Sequence, residues 1–456
     1  MNNSLSSRDI LAIGLMVFAL FFGAGNMIFP PALGQAAGED VWIAALGFLT
    51  TGIGLPLLGI AAIAISNGDL ETIAGRVHPK FGLFFTTIVY LTIGPIFAIP
   101  RTATVSYEIA VVPYLSKFSE DYEWVAKMVD QTSWLPLFLF VVLFFTVTLL
   151  FALNPSKLVD RIGKILTPIL LAVIVILVIK GILFPLGDLQ SATGNYAKEP
   201  FFTGFVDGYG TMDALASLVF GIVIINAIKQ RNVTNPKIIA KSTIKAGFIS
   251  ASLLGAVYLA LSYIGATSRD LTKDADNGGA ILSIIAKELY GPTGTAILGA
   301  AILFACLTTA IGLVSACGEF FSKVIPGVTY KQVAVITTLI GATIANVGLA
   351  KLIEITIPVL LMIYPIAIVL MILTFLHPFF NGYQAVYVGA VIGALLISIF
   401  DGLNAFGVNV TQIIDFFNSF LPFYSKQVGW LVPSLIGGLI GFVIAILTKQ
   451  EEKPLQ

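Results

Sequence analysis

Charged side chains are scarce in this sequence, and their scarcity excludes most classes of soluble protein. Only 11% of the 456 residues are charged and 57% are hydrophobic, whereas a soluble domain carries about 25% charged residues. The 25 basic and 25 acidic residues cancel, which gives no sign of a nucleic-acid partner. Repeated apolar runs of about 20 residues predict an all-α, polytopic protein in a lipid bilayer.

Cysteine and histidine are also rare. Cys306 and Cys317 lie in one apolar segment, where a helix would separate them by roughly 16 Å, too far for a disulfide. His78 and His377 each precede a proline at a predicted span end, so a histidine proton relay has little basis. There is no nucleotide-binding loop, metal-binding cysteine pattern or nucleophile elbow, and we expect no enzyme activity and no organic cofactor.

The apolar runs predict about twelve spans, with ends good to a few residues. They are 10–34, 42–65, 82–112, 134–153, 162–184, 208–228, 237–265, 293–321, 332–349, 352–376, 383–401 and 429–448. Pro95 and Pro100 are expected to bend the third span. The segment 278–290 is too short to span and is interpreted as an external cap helix. Lysine and arginine, densest at Lys229–Lys245, predict a multi-pass protein of the inner (plasma) membrane with both termini cytoplasmic.

The first span contains the most informative motif, Gly23-Ala24-Gly25-Asn26. Unwound backbone survives at membrane depth only where something satisfies its polar groups. A broken helix presents amide donors and carbonyl acceptors to an ion and a polar solute, as in secondary transporters. The alternative is close packing of small residues against a neighbouring helix, which accounts less well for Asn26 and the following Pro30-Pro31.

The sixth span is irregular as well. Small and polar residues between Asp213 and Gly221 predict unwinding near Ala216–Leu218, with free carbonyls that accept an ammonium group. Broken helices in corresponding positions favour an inverted repeat. We predict a single transmembrane transport domain over 1–456, with a first repeat at about 8–184, a second at about 206–376 and peripheral helices at about 383–448.

Two further groups of residues are candidates for function. The hydroxyls of Thr308 and Thr309 in the apolar stretch Phe304–Ala316 suit a hard cation such as sodium, although threonines often bond back to their own helix. Ionisable residues within spans cost roughly 2.5–3.5 kcal/mol each at the bilayer centre. An arginine–carboxylate pair would form an external gate, and snorkelling to the interface is the equal alternative. The candidate gate residues are Arg101, Glu108, Asp213 and Glu354.

Three stretches carry a family resemblance. FFGAGNMIFPPALGQAAG closely resembles the first helix of the bacterial branched-chain amino acid:cation symporters (the LIVCS or BrnQ-type family). GPIFAIPRTATVSYEIA and DALASLVFGIVI are similar to that family too, and the resemblance covers essentially the whole chain. It implies a LeuT-type 5+5 inverted repeat with broken helices 1 and 6. It also implies leucine, isoleucine and valine as substrates and sodium, or a proton, as the coupling ion.

The wider fold adds two alignable motifs. Its G-x-G-N-x-x-x-F-P pattern is similar to Gly23–Pro30, one residue shorter here, and its F-A-G-L-T-S-S pattern is similar to Phe304–Ala310. The first-helix arginine of some relatives is absent, and Arg101 is the candidate to replace it at a gate. The resemblance implies that Ala19, Phe22, Ala305, Thr308 and Thr309 bind sodium. The substrate-site residues that we predict are Phe21, Gly23, Ala24, Gly25, Asn26, Ala216, Ser217, Leu218 and Phe220.

The sequence therefore predicts a sodium-coupled symporter that imports branched-chain amino acids by alternating access. A proton-coupled carrier, or a carrier of another small neutral solute on the same scaffold, is the runner-up. A channel or a membrane sensor is a weaker alternative, because polar residues cluster at the two breaks rather than along a continuous stripe. The sequence carries no signal for oligomeric state.

Overall fold

Helices account for most of the described residues, as expected in lipid, where a helix satisfies its own backbone. The structure, a computed structural model, describes residues 5–66, 68–123, 125–127, 134–153 and 158–451, without the side chains of Ser116 and of 158–167. No strand occurs in these ranges. The first helices are α1 Ser7–Phe21, α2 Ala24–Ala37, α3 Val41–Leu49, α4 Leu55–Ser66, α5 Leu70–Gly75, α6 Pro79–Leu91, α7 Ala98–Ala110, α8 Val112–Asp121, α9 Leu135–Ala152 and α10 Leu158–Leu183.

The later helices are longer on average. They are α11 Pro200–Asp207, α12 Asp213–Lys229, α13 Pro236–Thr267, α14 Arg269–Thr272, α15 Gly278–Val324, α16 Tyr330–Ala345, α17 Leu349–Leu376, α18 Gln384–Ala405, α19 Thr411–Phe420 and α20 Leu431–Leu447. Each of the predicted spans coincides with one or two of these helices. By length and apolar composition seven described segments are able to cross a membrane, or eight if the bent pair α11–α12 is one span. The twelve-span count stays a prediction.

Side-chain N-caps mark several helix starts. Ser6 and Asp9 form a capping box at α1, in which the Asp9 amide donates to Ser6 Oγ over 3.2 Å. Asn277 Oδ1 accepts from the amides of Gly279 and Ala280 at the start of α15. Such caps satisfy amides that have no intrahelical acceptor. The N-cap residues of α2 and α12 make no such side-chain bond, although the first amide of α12, that of Asp213, donates to Thr211 Oγ1 over 3.3 Å.

The third predicted span is interrupted where proline was expected to act. A π-helical turn, Thr92–Ile96, separates α6 from α7, and Gly94 inside it has non-helical angles (φ −94°, ψ −122°). Pro95 follows directly, and a proline removes a hydrogen bond of the helix. Pro100 lies in the first turn of α7. Amides in a first turn make no hydrogen bond within their own helix, so a proline there costs none. Pro100 is therefore not the cause of the bend.

The predicted cap segment is a distinct helix. Gly291 has left-handed angles (φ 65°, ψ −161°) and divides α15 into a first part, 278–290, and a long second part. The first part packs so closely on α2 that a Cβ at Gly278 would overlap the Ile28 carbonyl. Its position over α2 fits the predicted cap, whereas its side of the membrane stays a prediction.

Three sets of contacts position the centre of the bundle. Helix α13 packs against α1 and α2, α12 packs against α4, and α7 packs against α15. Together they surround the points at which α1 and α12 begin or end inside the protein. Helices α18 and α20 pack mainly on each other, and α18 also on α17, away from that centre. The repeat boundaries stay a prediction.

Candidate functional site

The first helix break lies between α1 and α2. Phe22 (φ −70°, ψ 88°) leaves the helix and Gly23 (φ −125°, ψ −160°) is extended. The Gly23 amide, which in a continuous helix would bond to the Ala19 carbonyl, donates to Asn26 Oδ1 over 2.9 Å. The Ala19 carbonyl thereby loses its helical donor, and the first amides of α2 have no intrahelical acceptor. Donors and acceptors are thus available on either side of the break.

The second break lies between α11 and α12. A 3-10 turn, Gly208–Thr211, leads to Met212, which has left-handed angles (φ 62°, ψ 9°), and α12 begins at Asp213 with a bend of 43°. A left-handed non-glycine residue costs about 1–2 kcal/mol, so surrounding contacts must hold this conformation. Thr211 of this turn lies against the first break, since a Cβ at Gly25 would lie 3.2 Å from its Cα.

The predicted unwinding at Ala216–Leu218 is wrong. Asp213–Lys229 is one continuous helix, in which the Ser217 hydroxyl donates to the Ala214 carbonyl over 2.6 Å. Carbonyls within a helix already accept a backbone amide, so the free carbonyls predicted for this segment are not present. The small residues allow close helix packing instead. The Ser217 side chain lies so near Gly59 of α4 that a Cβ added at Gly59 would overlap it.

A buried polar cluster joins the two breaks. Asn26 Nδ2 donates to Asp213 Oδ2 over 2.6 Å, and Tyr258 OH donates to the same oxygen over 2.9 Å. Asn26 Nδ2 also donates to Tyr258 OH. Asn26 and Tyr258 are 1% exposed and Asp213 is 3% exposed. Helices α2, α12 and α13 are therefore held together by side chains around one carboxylate.

Arg101 enters from α7 and is 3% exposed. Its guanidinium donates to the carbonyls of Gly210 and, over 3.2 Å, Thr211. It also lies 5.6 Å from the centre of the Phe29 ring, a cation–π distance. Its Nε has no hydrogen-bond partner in the described part of the chain. Arg101 is thus deep in the bundle rather than at an interface.

The other candidate gate residues do not pair with Arg101. Glu354 lies on the surface and forms an ion pair with Lys351 over 2.9 Å, so an Arg101–Glu354 gate is wrong. Glu108 accepts from Asn277 Nδ2 over 3.3 Å, which links α7 to the first part of α15. Asp213 is nearby but, among the described residues, no carboxylate lies within an ion-pair distance of 4.0 Å from Arg101.

A cavity of about 30 Å³ lies between the two breaks. A water molecule needs roughly 10–15 Å³ on such a measure, so this is a contracted site. The predicted residues that line it are Phe21, Gly23, Ala24, Gly25, Asn26, Ala216 and Phe220, together with Arg101, Asp213 and Thr309. Ser217 and Leu218 are buried and do not line it.

Sequence reasoning missed several residues of the lining. They are Leu20, Ile93, Ala98, Thr102, Thr211, Met212 and Leu313. The paired glycines of Gly208-Tyr209-Gly210-Thr211 were the signal for the second break, because glycine allows backbone to leave a helix. Tyr258, the second donor to Asp213, follows no local motif.

The candidate ion residues lie where α15 passes the first break. Thr308 Oγ1 donates to the Ala305 carbonyl over 2.8 Å, which is the back-bond that competes with an ion. Thr309 Oγ1 is buried and has no partner among the described residues. A Cβ at Gly23 would lie 3.2 Å from it. A hydroxyl oxygen without a donor or acceptor, beside unwound backbone, suits a hard cation.

Solved structures give the fold of the protein. A nucleobase-cation-symport-1 family transporter, Mhp1, bound to bromovinylhydantoin, superposes with a TM-score of 0.62 at 14% identity over 98% of this chain and 94% of its own. MhsT in complex with L-phenylalanine has a TM-score of 0.54 at 16% identity over 98% and 99%. Two broken helices around a buried cavity thus belong to a LeuT-type fold, and the predicted all-α polytopic architecture is confirmed.

Sequence relatives give the family. The model of a family described as "Branched-chain amino acid transport protein" matches residues 6–448 of this chain. The branched-chain amino acid permease BraB of Bacillus subtilis is 49% identical over 98% of this chain and 97% of its own length. The branched-chain amino acid transport system 2 carrier protein of Pseudomonas aeruginosa is 43% identical over 96% of each. The chain belongs to this family of transport proteins, and it is not an enzyme.

Proposed function

We propose that this protein is a sodium-coupled symporter that imports leucine, isoleucine and valine across the cell membrane by alternating access. The observation that carries the proposal is the buried cavity between two helix breaks, in a chain whose relatives are named branched-chain amino acid permeases. An amino acid has a carboxylate, an ammonium and a side chain. The cavity is lined by the backbone of the first break, the Asp213 carboxylate and several apolar side chains, one kind of wall for each group.

The substrate carboxylate is proposed to lie at the backbone of Gly23–Gly25, where the amides that begin α2 favour an anion. The ammonium is proposed to bind Asp213. The carbonyls of Ala216–Leu218, which the sequence predicted for this role, are bonded within α12. Asp213 lines the cavity, and Asn26 and Tyr258 both donate to the same carboxylate oxygen, Oδ2. The branched side chain would pack against apolar residues of the lining, which include Phe21, Ile93, Phe220 and Leu313.

Sodium is proposed to bridge α1 and α15 through five neutral oxygens. These are the carbonyls of Ala19, Phe22 and Ala305 and the hydroxyls of Thr308 and Thr309. The Ala19 carbonyl without its helical donor and the unpartnered Thr309 hydroxyl support the assignment. One cation that moves down 100 mV supplies about 2.3 kcal/mol, enough for a roughly fifty-fold gradient of substrate.

Proton coupling is the second candidate, and the Asn26–Tyr258–Asp213 cluster favours it. A carboxylate that is 3% exposed within a membrane bundle is typical of proton-coupled transporters. Asp213 would take up a proton together with the substrate. The two candidates assign the coupling charge to different helices, α15 for sodium and α12 for the proton.

The outer gate is proposed to involve Glu108 and the first part of α15. Glu108 is bonded to Asn277, and α15 lies on α2 at Gly278. Opening toward the outside would separate these elements. With both termini in the cytoplasm, α15 would then move away from α2 on the external side.

Uptake of labelled leucine into proteoliposomes tests the proposal, with sodium and pH gradients imposed in separate experiments. An inward sodium gradient at equal pH should drive uptake above equilibrium, and an inward proton gradient without sodium should not. Liposomes without protein are the control. Uptake driven by the proton gradient alone would select the second candidate, and no uptake of leucine, isoleucine or valine under either gradient would contradict both.

A further inference from the structure

Arg101 has an unusual set of partners for a buried cation. It is 3% exposed, yet its described hydrogen-bond acceptors are two neutral carbonyls, of Gly210 and Thr211. Its Nε is buried without a partner among the residues described. Buried charges in proteins are normally paired with an opposite charge. The guanidinium therefore retains capacity for an anion.

The Arg101 guanidinium lies beside a second group of anion-binding donors. Arg101 lines the cavity between the two breaks. A Cβ at Gly25 would lie 2.6 Å from Arg101 Nη2, so the guanidinium lies against the first turn of α2. The amides of that turn have no acceptor within their own helix. Two independent donors of hydrogen bonds to an anion thus meet at one wall of the cavity.

We propose that Arg101 binds the carboxylate of the amino acid substrate, an assignment that rests on the proposed function. In the contracted state described above, the guanidinium bonds to the carbonyls of Gly210 and Thr211. A carboxylate is a stronger acceptor than a carbonyl and accepts two parallel bonds from one guanidinium. Substrate entry exchanges these carbonyls for the carboxylate and releases the Gly208–Thr211 turn from α7.

The charge arrangement gives this site its polarity. Arg101 lies on α7 and Asp213 on α12, both on the cavity wall and farther apart than an ion pair. Once the contracted site expands, a zwitterion would lie between them, with its carboxylate at Arg101 and its ammonium at Asp213. Recognition of a free carboxylate predicts that the transporter rejects a substrate analogue in which that group is neutral.

Leucinamide tests this assignment, because it retains the ammonium and side chain of leucine and replaces the carboxylate by a neutral amide. Purified full-length protein is titrated with leucine or with leucinamide in sodium buffer, and binding is measured as the shift in unfolding temperature. Wild type should prefer leucine by roughly 10- to 100-fold, the range expected for a charged hydrogen-bonded pair. In Arg101→Gln the preference should fall to about threefold or less, through loss of leucine affinity alone.

Two variants serve as controls. Arg101→Lys retains the charge without the paired donors and should show an intermediate preference. Arg76→Gln removes an arginine that bonds to Tyr387 elsewhere in the protein and should leave the preference unchanged. The unfolding temperature without ligand shows whether each variant is folded.

The outcomes separate the assignment from the proposed function. If Arg101 only holds the Gly208–Thr211 turn in place, Arg101→Gln will weaken the binding of leucine and of leucinamide by the same factor. That result overturns the assignment. Equal affinity of wild type for leucine and leucinamide overturns it without any variant. If leucinamide never binds, unchanged leucine affinity in Arg101→Gln overturns it. No shift with leucine, isoleucine or valine in wild type overturns the proposed function and this inference with it.

Discussion

The two helix breaks are held by different means. At the first, the Gly23 amide bonds to Asn26 in the next turn of its own chain segment. At the second, the carbonyls of Gly210 and Thr211 bond to Arg101, which is distant in sequence. A break that supplies its own partner is visible in a short motif. A break whose partner comes from another helix depends on the assembled bundle.

The two breaks also differ in charge. The first carries only neutral groups, among them the Asn26 amide, whereas the second ends at a buried carboxylate, Asp213. Asn26 donates to that carboxylate, so the first break supports the second. On the proposed function, the first break sets the geometry of the site, whereas Asp213 of the second break and Arg101 of α7 provide the charges that would select a zwitterion. Substitutions at each break should therefore have different consequences.

The largest effect is expected at Gly25. Gly25→Val should reduce leucine affinity by at least about 100-fold, since even a Cβ would lie 2.6 Å from Arg101 Nη2 and 3.2 Å from the Thr211 Cα, and a β-branched side chain adds further bulk. The reason is steric, because Gly25 is not among the residues with positive φ. Leucine titration of the purified variant measures it.

The matched control for this substitution is a glycine on α15. A Cβ at Gly312 would meet no atom nearer than 4.0 Å. Gly25→Ala should therefore weaken leucine binding, and Gly312→Ala should not. Wild-type leucine affinity in folded Gly25→Val would contradict the placement of the carboxylate at the first break.

The next largest effect concerns the link between the breaks. Asn26→Ala leaves the Gly23 amide without its partner and removes one of the two side-chain donors to Asp213, at about 1–3 kcal/mol for each buried group affected. Both the unfolding temperature and leucine affinity should fall. Asn26→Asp should be at least as damaging, because a second carboxylate would face Asp213.

Tyr258→Phe is the milder comparison, since it removes one donor to Asp213 and leaves Asn26 in place. Its unfolding temperature should lie between those of wild type and Asn26→Ala. If Asn26→Ala unfolds at the wild-type temperature, the cluster does not hold the breaks together. Thermal unfolding of the detergent-purified proteins decides this.

A smaller and more selective effect is expected at the proposed ion site. Thr309→Val keeps the shape and removes the unpartnered hydroxyl, and should raise the sodium concentration for half-maximal uptake about tenfold, the equivalent of one coordinating dipole. Leucine affinity at saturating sodium should change much less. Thr309→Ser retains the oxygen and should resemble wild type. Thr308→Val is expected to have the weaker effect, since its hydroxyl is bonded to Ala305.

Normal sodium dependence in both threonine-to-valine variants would contradict the ion site on α15. Coupling through Asp213 would then become the leading explanation, and uptake should follow pH rather than sodium. The measurement is initial uptake as a function of sodium at two values of pH.

Much of the fold followed from the sequence because its signals are local. Apolar runs predicted the helices, and of the two prolines expected to bend the third span, Pro95 lies at its interruption and Pro100 does not. Gly23–Asn26 gave the first break because its partner is three residues away. These features depend on backbone chemistry within one or two turns, which a single sequence contains.

The remaining features depend on contacts between distant segments. The small residues of Ala216–Leu218 were interpreted as an unwound segment, whereas the structure uses them for close packing of α12 on α4. Small residues have both uses in membrane helices, and only the neighbouring helix distinguishes them. The roles of Tyr258 and Arg101 likewise required the three-dimensional arrangement.

The smallest expected effect tests the revised position of the second break. Ser217→Ala removes a hydroxyl that bonds to Ala214 within the continuous helix α12 and lies outside the cavity lining. Alanine is smaller and has a higher helix propensity, so α12 should persist and leucine affinity should stay within about twofold of wild type, well below the tenfold that 1.4 kcal/mol represents. Asp213→Asn, only one helical turn away, should by contrast weaken leucine binding strongly, because it removes the charge assigned to the ammonium. Leucine titrations of the two variants in parallel measure the difference. A Ser217→Ala variant as impaired as Asp213→Asn would return the ammonium site to Ala216–Leu218 and would require α12 to unwind there when substrate binds.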